Sequence, residues 1–328
     1  MKKRFLCVLL AMLAMLWACG APGTLKDMES EPMGSSAPTE LTTEPTTEPT
    51  TEPTAEPTTE PTTEPTTEPT TEPTTEPTTE PTTESTEPSK PAEPAIPSLL
   101  DFLRTAVKPV GSTMYIWGGG WNEADTGAGI EAVTLGLSPR WAEFAAGQGK
   151  DYNYKNHRYQ IHDGLDCSGY VGWAVYNTLE TENGRPGYVC SSTAMAESFA
   201  QRGLGTFIPV QALNRWEPGD VMSMKGHVWI VVGMCDDGSV LFLHASPPGV
   251  MFSGTELPGG ESQAVRLAEQ IMAEHFPDWY SRYPDSSRPA SYLTNSAAMR
   301  WSEEVLCDPE GLRGMSAQQI VEQIFDGL

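Results

Sequence analysis

One tetrapeptide, Thr-Thr-Glu-Pro, repeats from about Glu40 to Glu87 with few interruptions, Ala55 and Ser85 among them. Proline at every fourth position forbids continuous helix, and like-charged glutamates at the same spacing repel. This tract is therefore expected to stay extended and solvated, and the fold must lie elsewhere. Composition puts it beyond about Pro94, in a single domain of residues 96–328 large enough to bury a core. The tract also explains most of the net charge of −24, because thirteen glutamates from Glu40 to Glu87 have no basic residue among them. What remains is moderately acidic, which argues against a nucleic-acid partner. In polyproline II geometry roughly fifty residues reach on the order of 150 Å, and the threonines are possible sites for O-glycans.

The amino terminus has the layout of a signal peptide over residues 1–18: Met1-Lys2-Lys3-Arg4, then an apolar run from Phe5 to Trp17 too short to span a bilayer. It ends in Leu16-Trp17-Ala18-Cys19-Gly20, which resembles the bacterial lipobox. That resemblance implies cleavage before Cys19, lipid on its sulfur, and an extracytoplasmic protein anchored to the membrane and reaching into the cell wall. Residues 19–95 are then a lipid-anchored stalk. Cys7 leaves with the signal. Cys190, Cys235 and Cys307 allow at most one disulfide, so the domain is not a disulfide framework.

Within the domain, Ser98 is placed to cap a helix running to Val107, ended by Pro109 and Gly111. Tyr115-Ile116-Trp117-Gly118-Gly119-Gly120 sets three glycines after two aromatics, a backbone able to pass close to something else. Residues from about 121 to 164 are glycine-rich and polar, with Trp141, Phe144, Tyr152, Tyr154 and Tyr159 spread through them and a short helix expected from Pro139 to Ala146. His157, His162 and Asp163 lack a second set at ligand spacing, so no metal is expected, and no cofactor. After Cys167, the spacing of Tyr170, Val171, Ala174, Val175 and Leu179 predicts a helix buried along one face. A second helix is expected from Ser192 to Arg202. Strands are expected at Val221–Met224, His227–Val232 and Val240–Leu243, an antiparallel meander beside the cysteine helix. Beyond Pro247-Pro248-Gly249 the chain is expected to return to helices, with Ser262 to Phe276 one of them and a capping box at Ser316–Gln319 opening the last. This extension, about 260–328, carries no evident chemistry and is expected to pack on the domain's back.

Asp166-Cys167-Ser168-Gly169 opens the first of these helices. A cysteine there sits at the positive end of the helix dipole, which favours a thiolate at neutral pH, and Asp166 is placed to cap. His227 heads one strand and His244 lies on the next. A thiol, a base to take its proton and a third group to orient the base are what nucleophilic catalysis requires. Two-residue offsets move side chains about 6–7 Å along a strand, so direct opposition of His227 and His244 calls for a turn centred between Cys235 and Asp236.

Four motifs in order, Tyr115-Ile116-Trp117-Gly118-Gly119, Asp166-Cys167-Ser168-Gly169-Tyr170, Pro218-Gly219-Asp220-Val221, and Gly226-His227-Val228 with His244-Ala245-Ser246, resemble the NlpC family of papain-like cysteine peptidases. The resemblance covers Tyr115 to Ser246. It implies a papain-like α+β fold, with an antiparallel sheet packed against the helix that carries the cysteine. It implies Cys167 as nucleophile, His227 as general base and then acid, and His244 as the orienting residue. Tyr115 would lie against the nucleophile, while Asp166 and Ser168 would line the subsite for the substrate's amino-terminal side. The implied substrate is the peptide stem of bacterial peptidoglycan, cut between D-glutamate's γ-carboxyl and a diamino acid by a monomeric enzyme. The chain departs from the family in the long insertion at about 121–164, which borders the cleft, and in Trp229, bulky where the family often has glycine. Two other readings stay open: an amidase of the related CHAP type cutting between sugar and peptide, and a non-catalytic surface lipoprotein that binds wall peptides.

Overall fold

The computed structural model describes residues 96–121, 131–158 and 160–326. The signal segment, Cys19, the Thr-Glu-Pro tract and Tyr159 lie outside the described residues. The domain begins with helix α1, Leu99–Val107, whose capping box is formed by Ser98 and Asp101: the Ser98 hydroxyl accepts from the Asp101 N–H, and the Asp101 carboxylate accepts from the Ser98 N–H. Strand β1, Met114–Tyr115, leads through the glycine loop to the insertion. There helix α2 spans Pro139–Ala146, and the insertion closes with strand β2, Gly164–Leu165.

Helix α3, Cys167–Leu179, follows at once, and helix α4, Met195–Gln201, ends at Gly203 with a positive φ of 81°. Strands β3 (Gly205–Ile208), β4 (Val221–Met224), β5 (His227–Met234), β6 (Val240–Ser246) and β7 (Gly249–Thr255) come next. Helices α5 (Gln263–His275) and α6 (Pro277–Arg282), strand β8 (Ser287–Arg288), the one-turn helix α7 (Ser291–Thr294), strand β9 (Ala297–Trp301) and helix α8 (Ala317–Phe325) complete the domain. Ser262 caps α5, and Ser316 with Gln319 makes the expected capping box on α8.

Among the described residues the strands form one mixed sheet in the order β2-β1-β7-β6-β5-β4-β9-β3, with β8 pairing β7 off this path. Strands β4 to β7 are the antiparallel meander, while the β1–β2 and β7–β8 pairs are parallel. The fold is thus α+β. Alternation along β5 and β6 sends Val228, Ile230, Leu243 and Ala245 into the main core with α1 and α3, and Trp229, Val231 and Phe242 into a smaller one on the other face.

Three expectations need correcting. The chain does not turn helical after Pro248, because Gly249–Thr255 adds a further strand to the meander. The extension is more than a helical backing: its helices α5 and α8 pack on β7 and β5, but β9 lies inside the sheet, between β4 and β3. Its Arg300 guanidinium donates to both carboxylate oxygens of Asp220, at 3.0 and 2.7 Å, so the Pro218-Gly219-Asp220 turn is tied to the extension. Helix α3, finally, is buried all round over its first ten residues, Cys167 to Tyr176, instead of along one face. Helix α1 and strands β5 and β6 pack on it, and Gly172 lets the backbone at Val189 close over another side.

Candidate functional site

The start of α3 is held by backbone contacts that need glycine. A Cβ on Gly169 would stand 1.9 Å from the Gly119 oxygen, and one on Gly119 would stand 2.3 Å from the Gly164 oxygen. Gly118 and Gly120 have φ of 85° and 88°, which lets the loop curl onto the helix. What Gly119 and Gly120 approach is another stretch of backbone, at Gly164 and Gly169. Asp166 fixes the junction: one carboxylate oxygen accepts from the Gly169 N–H at 2.7 Å and from the Ser168 hydroxyl at 2.8 Å, and the other accepts from the Gly118 N–H at 3.2 Å. Burial raises the Asp166 carboxyl above its ordinary range against the pull of these bonds.

Cys167, Tyr115, Asp166 and Ser168 line one cavity of about 270 Å³, with Trp117, Trp121, Ile161, Ser191, Ser192 and Gly226 completing its wall. The structure thus brings together the cysteine and the three residues expected to meet substrate, and the insertion borders the cavity through Ile161. Trp121 donates its indole N–H to the Ser168 hydroxyl at 3.0 Å, so the hydroxyl is oriented from both sides. Elsewhere in the insertion Arg140 pairs with Asp163 at 2.6 Å, and the His157 ring stacks on Tyr152. Among the described residues no group of three His, Cys, Asp or Glu is placed to hold a metal ion, and Cys190, Cys235 and Cys307 are free thiols.

His227 follows a two-residue turn, Lys225-Gly226, in which Gly226 has φ of 76° and pairs Met224 with His227. This puts His227 at the start of β5, directly after Gly226, which lines the cavity, whereas His227 and His244 are not among the residues that line it. Its Nε2 lies 3.0 Å from His244 Nδ1, and His244 Nε2 lies 3.0 Å from the Ser253 hydroxyl. The two rings meet edge to face, with centroids 5.2 Å apart.

The route to this contact differs from direct opposition. The β5–β6 turn is centred on Asp237, with Met234 opposite Val240, and an irregularity between Val231 and Gly233 shifts the register to Ile230 opposite Leu243. Continuing that register places His244 opposite Trp229. The histidines therefore touch along the diagonal, a distance that long ring side chains can bridge.

Sequence reasoning missed Ser253 because it missed β7. The signal was available: a lone hydroxyl in the run Val250-Met251-Phe252-Ser253, wholly buried in the structure, calls for a polar partner.

The electrostatics correct one further expectation. Burial, and then the charge of Asp166, push the Cys167 thiol up to about 12, although the Val228 N–H, the Ser168 N–H and the Ser192 hydroxyl reach the sulfur and pull the other way. Burial, and then Arg288, hold His227 down to about 4, and His244, fully buried, lies well below its usual value for the same reasons. Desolvation at this enclosed position outweighs the helix dipole, so thiol and imidazole rest neutral. Tyr115, buried beside Cys167, is raised by burial and by the same cysteine.

With both groups neutral, a thiol here gives up its proton only as it reacts. His227 Nε2 is engaged by His244, which leaves Nδ1 as the ring nitrogen outside this contact. For Nδ1 to carry a lone pair, His227 must donate Nε2–H to His244 Nδ1, and His244 in turn donates Nε2–H to Ser253. Comparison with family models, with curated proteins and with solved structures finds no match.

Proposed function

We propose that this chain is a papain-like cysteine peptidase of the NlpC type that hydrolyses the peptide stems of bacterial peptidoglycan. The observation that carries the reading is one arrangement: Cys167 opens α3 in a cavity beside Tyr115, Asp166 and Ser168, while His227, which begins β5 directly after the cavity-lining Gly226, forms a relay with His244 and Ser253. In this mechanism His227 Nδ1 takes the thiol proton as sulfur attacks the scissile carbonyl carbon. Backbone N–H groups at the start of α3 stabilise the oxyanion, and His227 returns the proton to the leaving amine. Water, deprotonated by His227, then releases the acyl group and regenerates the thiol. His244 and Ser253 keep the imidazole in the tautomer that can act as base. The bond expected is the one between D-glutamate's γ-carboxyl and the diamino acid. The lipid on Cys19 and the Thr-Glu-Pro stalk hold the enzyme outside the cytoplasmic membrane with reach into the wall.

The test is digestion of purified muropeptides followed by mass spectrometry of the products. A new D-glutamate terminus, formed by wild type and absent with Cys167→Ala, is the expected result. Cleavage between the sugar and L-alanine instead would reassign the enzyme as an amidase, and products of equal yield from Cys167→Ala would refute the nucleophile.

A further inference from the structure

The extension crosses the site. Strand β8 pairs with β7, and β9 pairs with β4 on the far side of β5 and β6. The link between them must therefore pass over β6, β5 and β4. It does so on the face to which Trp229 and Phe242 point, and α7 lies in the middle of the crossing. Tyr292 from α7 sets its ring 5.6 Å from the His227 ring at 63°, 6.4 Å from His244, 5.4 Å from Phe242 and 5.8 Å from Trp229. Two anchors hold the crossing down. Trp229 donates its indole N–H to the buried Ser296 hydroxyl at 3.3 Å, and Arg288, largely buried, reaches the Met251 sulfur at 3.6 Å. Trp229, bulky where the NlpC family often has glycine, is thus the platform on which the crossing rests.

We propose that Tyr292 is a positioning residue, an aromatic wall that fixes the plane of the His227 imidazole so that Nδ1 faces the Cys167 sulfur. The inference rests on the reading of these two residues as nucleophile and base. Hydrogen bonding to His244 fixes only one nitrogen and leaves the ring free to swing about that contact. An edge-to-face neighbour on the open side removes the freedom through ring contact, and the phenol oxygen is not required for it. The groups that face His227 are His244 from β6, Arg288 from β8 and Tyr292 from α7, and Cys167 from α3 is close enough for its charge to bear on the Tyr292 phenol.

Alkylation of Cys167 by iodoacetamide in the full-length protein, followed by peptide mapping across pH 6 to 10, tests this without any peptide substrate. Tyr292→Phe keeps the ring and is expected to react within twofold of wild type. Tyr292→Leu keeps apolar bulk and loses the plane. It is expected to slow alkylation about tenfold at pH 7, with the gap closing as pH rises and thiolate forms without a base. A Tyr292→Leu rate within twofold of wild type, or an equal deficit at every pH, overturns the proposal. His227→Ala in the same assay separates the two claims: if it leaves alkylation unchanged, the base assignment itself fails, and if only Tyr292→Leu leaves it unchanged, the positioning role alone fails.

Discussion

The two halves of the site are held by different means. The cysteine half is backbone against backbone: Gly119 and Gly120 lie on Gly164 and Gly169, and Asp166 accepts from N–H groups on both sides of the junction. The histidine half is side chain against side chain, with His227, His244 and Ser253 drawn from three strands and Tyr292 from a segment crossing over them. Backbone packing tolerates almost no substitution but needs little beyond glycine and a cap. Side-chain packing spreads the same task over several residues, each individually less severe to lose. The first half joins two segments of chain 48 positions apart at the Gly118–Asp166 bond, and the second draws on residues up to 65 positions apart.

The comparison can be broken first at the imidazole. His227→Ala is expected to lower kcat about 10²–10⁴-fold with the fold retained, because the proposed general base is gone. His244→Asn should cost about tenfold, since an amide oxygen still accepts the Nε2–H, and Ser253→Ala only a few-fold. Steady-state kinetics on a stem peptide, with thermal melting as control, gives the ranking. A His244→Asn loss equal to that of His227→Ala would mean the relay is not graded along its length.

The backbone half should fail differently. Gly169→Ala has nowhere to put a methyl group except against the Gly119 carbonyl, and neither backbone has a flexible end to move. A loss of about 3 kcal/mol or more in denaturant unfolding is expected, with activity falling along with folded protein. A Gly169→Ala protein of wild-type stability would show that the glycine loop yields more readily than this packing implies.

These contrasts explain what could be read in advance. The cap at Ser98, the helix at Pro139–Ala146, the Cys167 helix start and the Ser316 box follow from local patterns of a few residues, and each is where the pattern puts it. The diagonal His227–His244 contact was not legible, because it depends on a bulge near Val232 that leaves no mark in hydrophobic alternation. Nor was the role of the extension. Arg300, Tyr292 and Ser296 acquire their meaning only from where β9 inserts, and an isolated five-residue strand among helices carries a weak signal. The resting charge state was misjudged for a related reason: the helix dipole is visible in sequence, whereas the burial that outweighs it is a property of the assembled site.

A smaller effect sharpens the contrast through pH. His244 is fully buried and held well below its ordinary value, and His227, partly exposed, is held at about 4. Below about pH 6.5 the unfolded chain takes up protons that the folded protein refuses, so stability is full above that value and falls as pH drops toward 4. The buried His244 alone should contribute a slope of about 1.4 kcal/mol per pH unit over this window. Denaturant titrations at pH 7, 6 and 5 should show the decline, and His244→Asn should flatten it. An unchanged slope in that variant would place the acid sensitivity elsewhere.

The most direct test of the whole account is covalent capture with a stem-peptide analogue in which the scissile γ-amide of D-glutamate is replaced by a chloromethyl ketone. Labelling followed by peptide mapping reads nucleophile, base and substrate class together. The account predicts a single adduct on Cys167, with Cys190, Cys235 and Cys307 unmodified, strong slowing in His227→Ala, and protection by intact stem peptide. An adduct on another cysteine, or labelling of Cys167 at the same rate in His227→Ala, would contradict it.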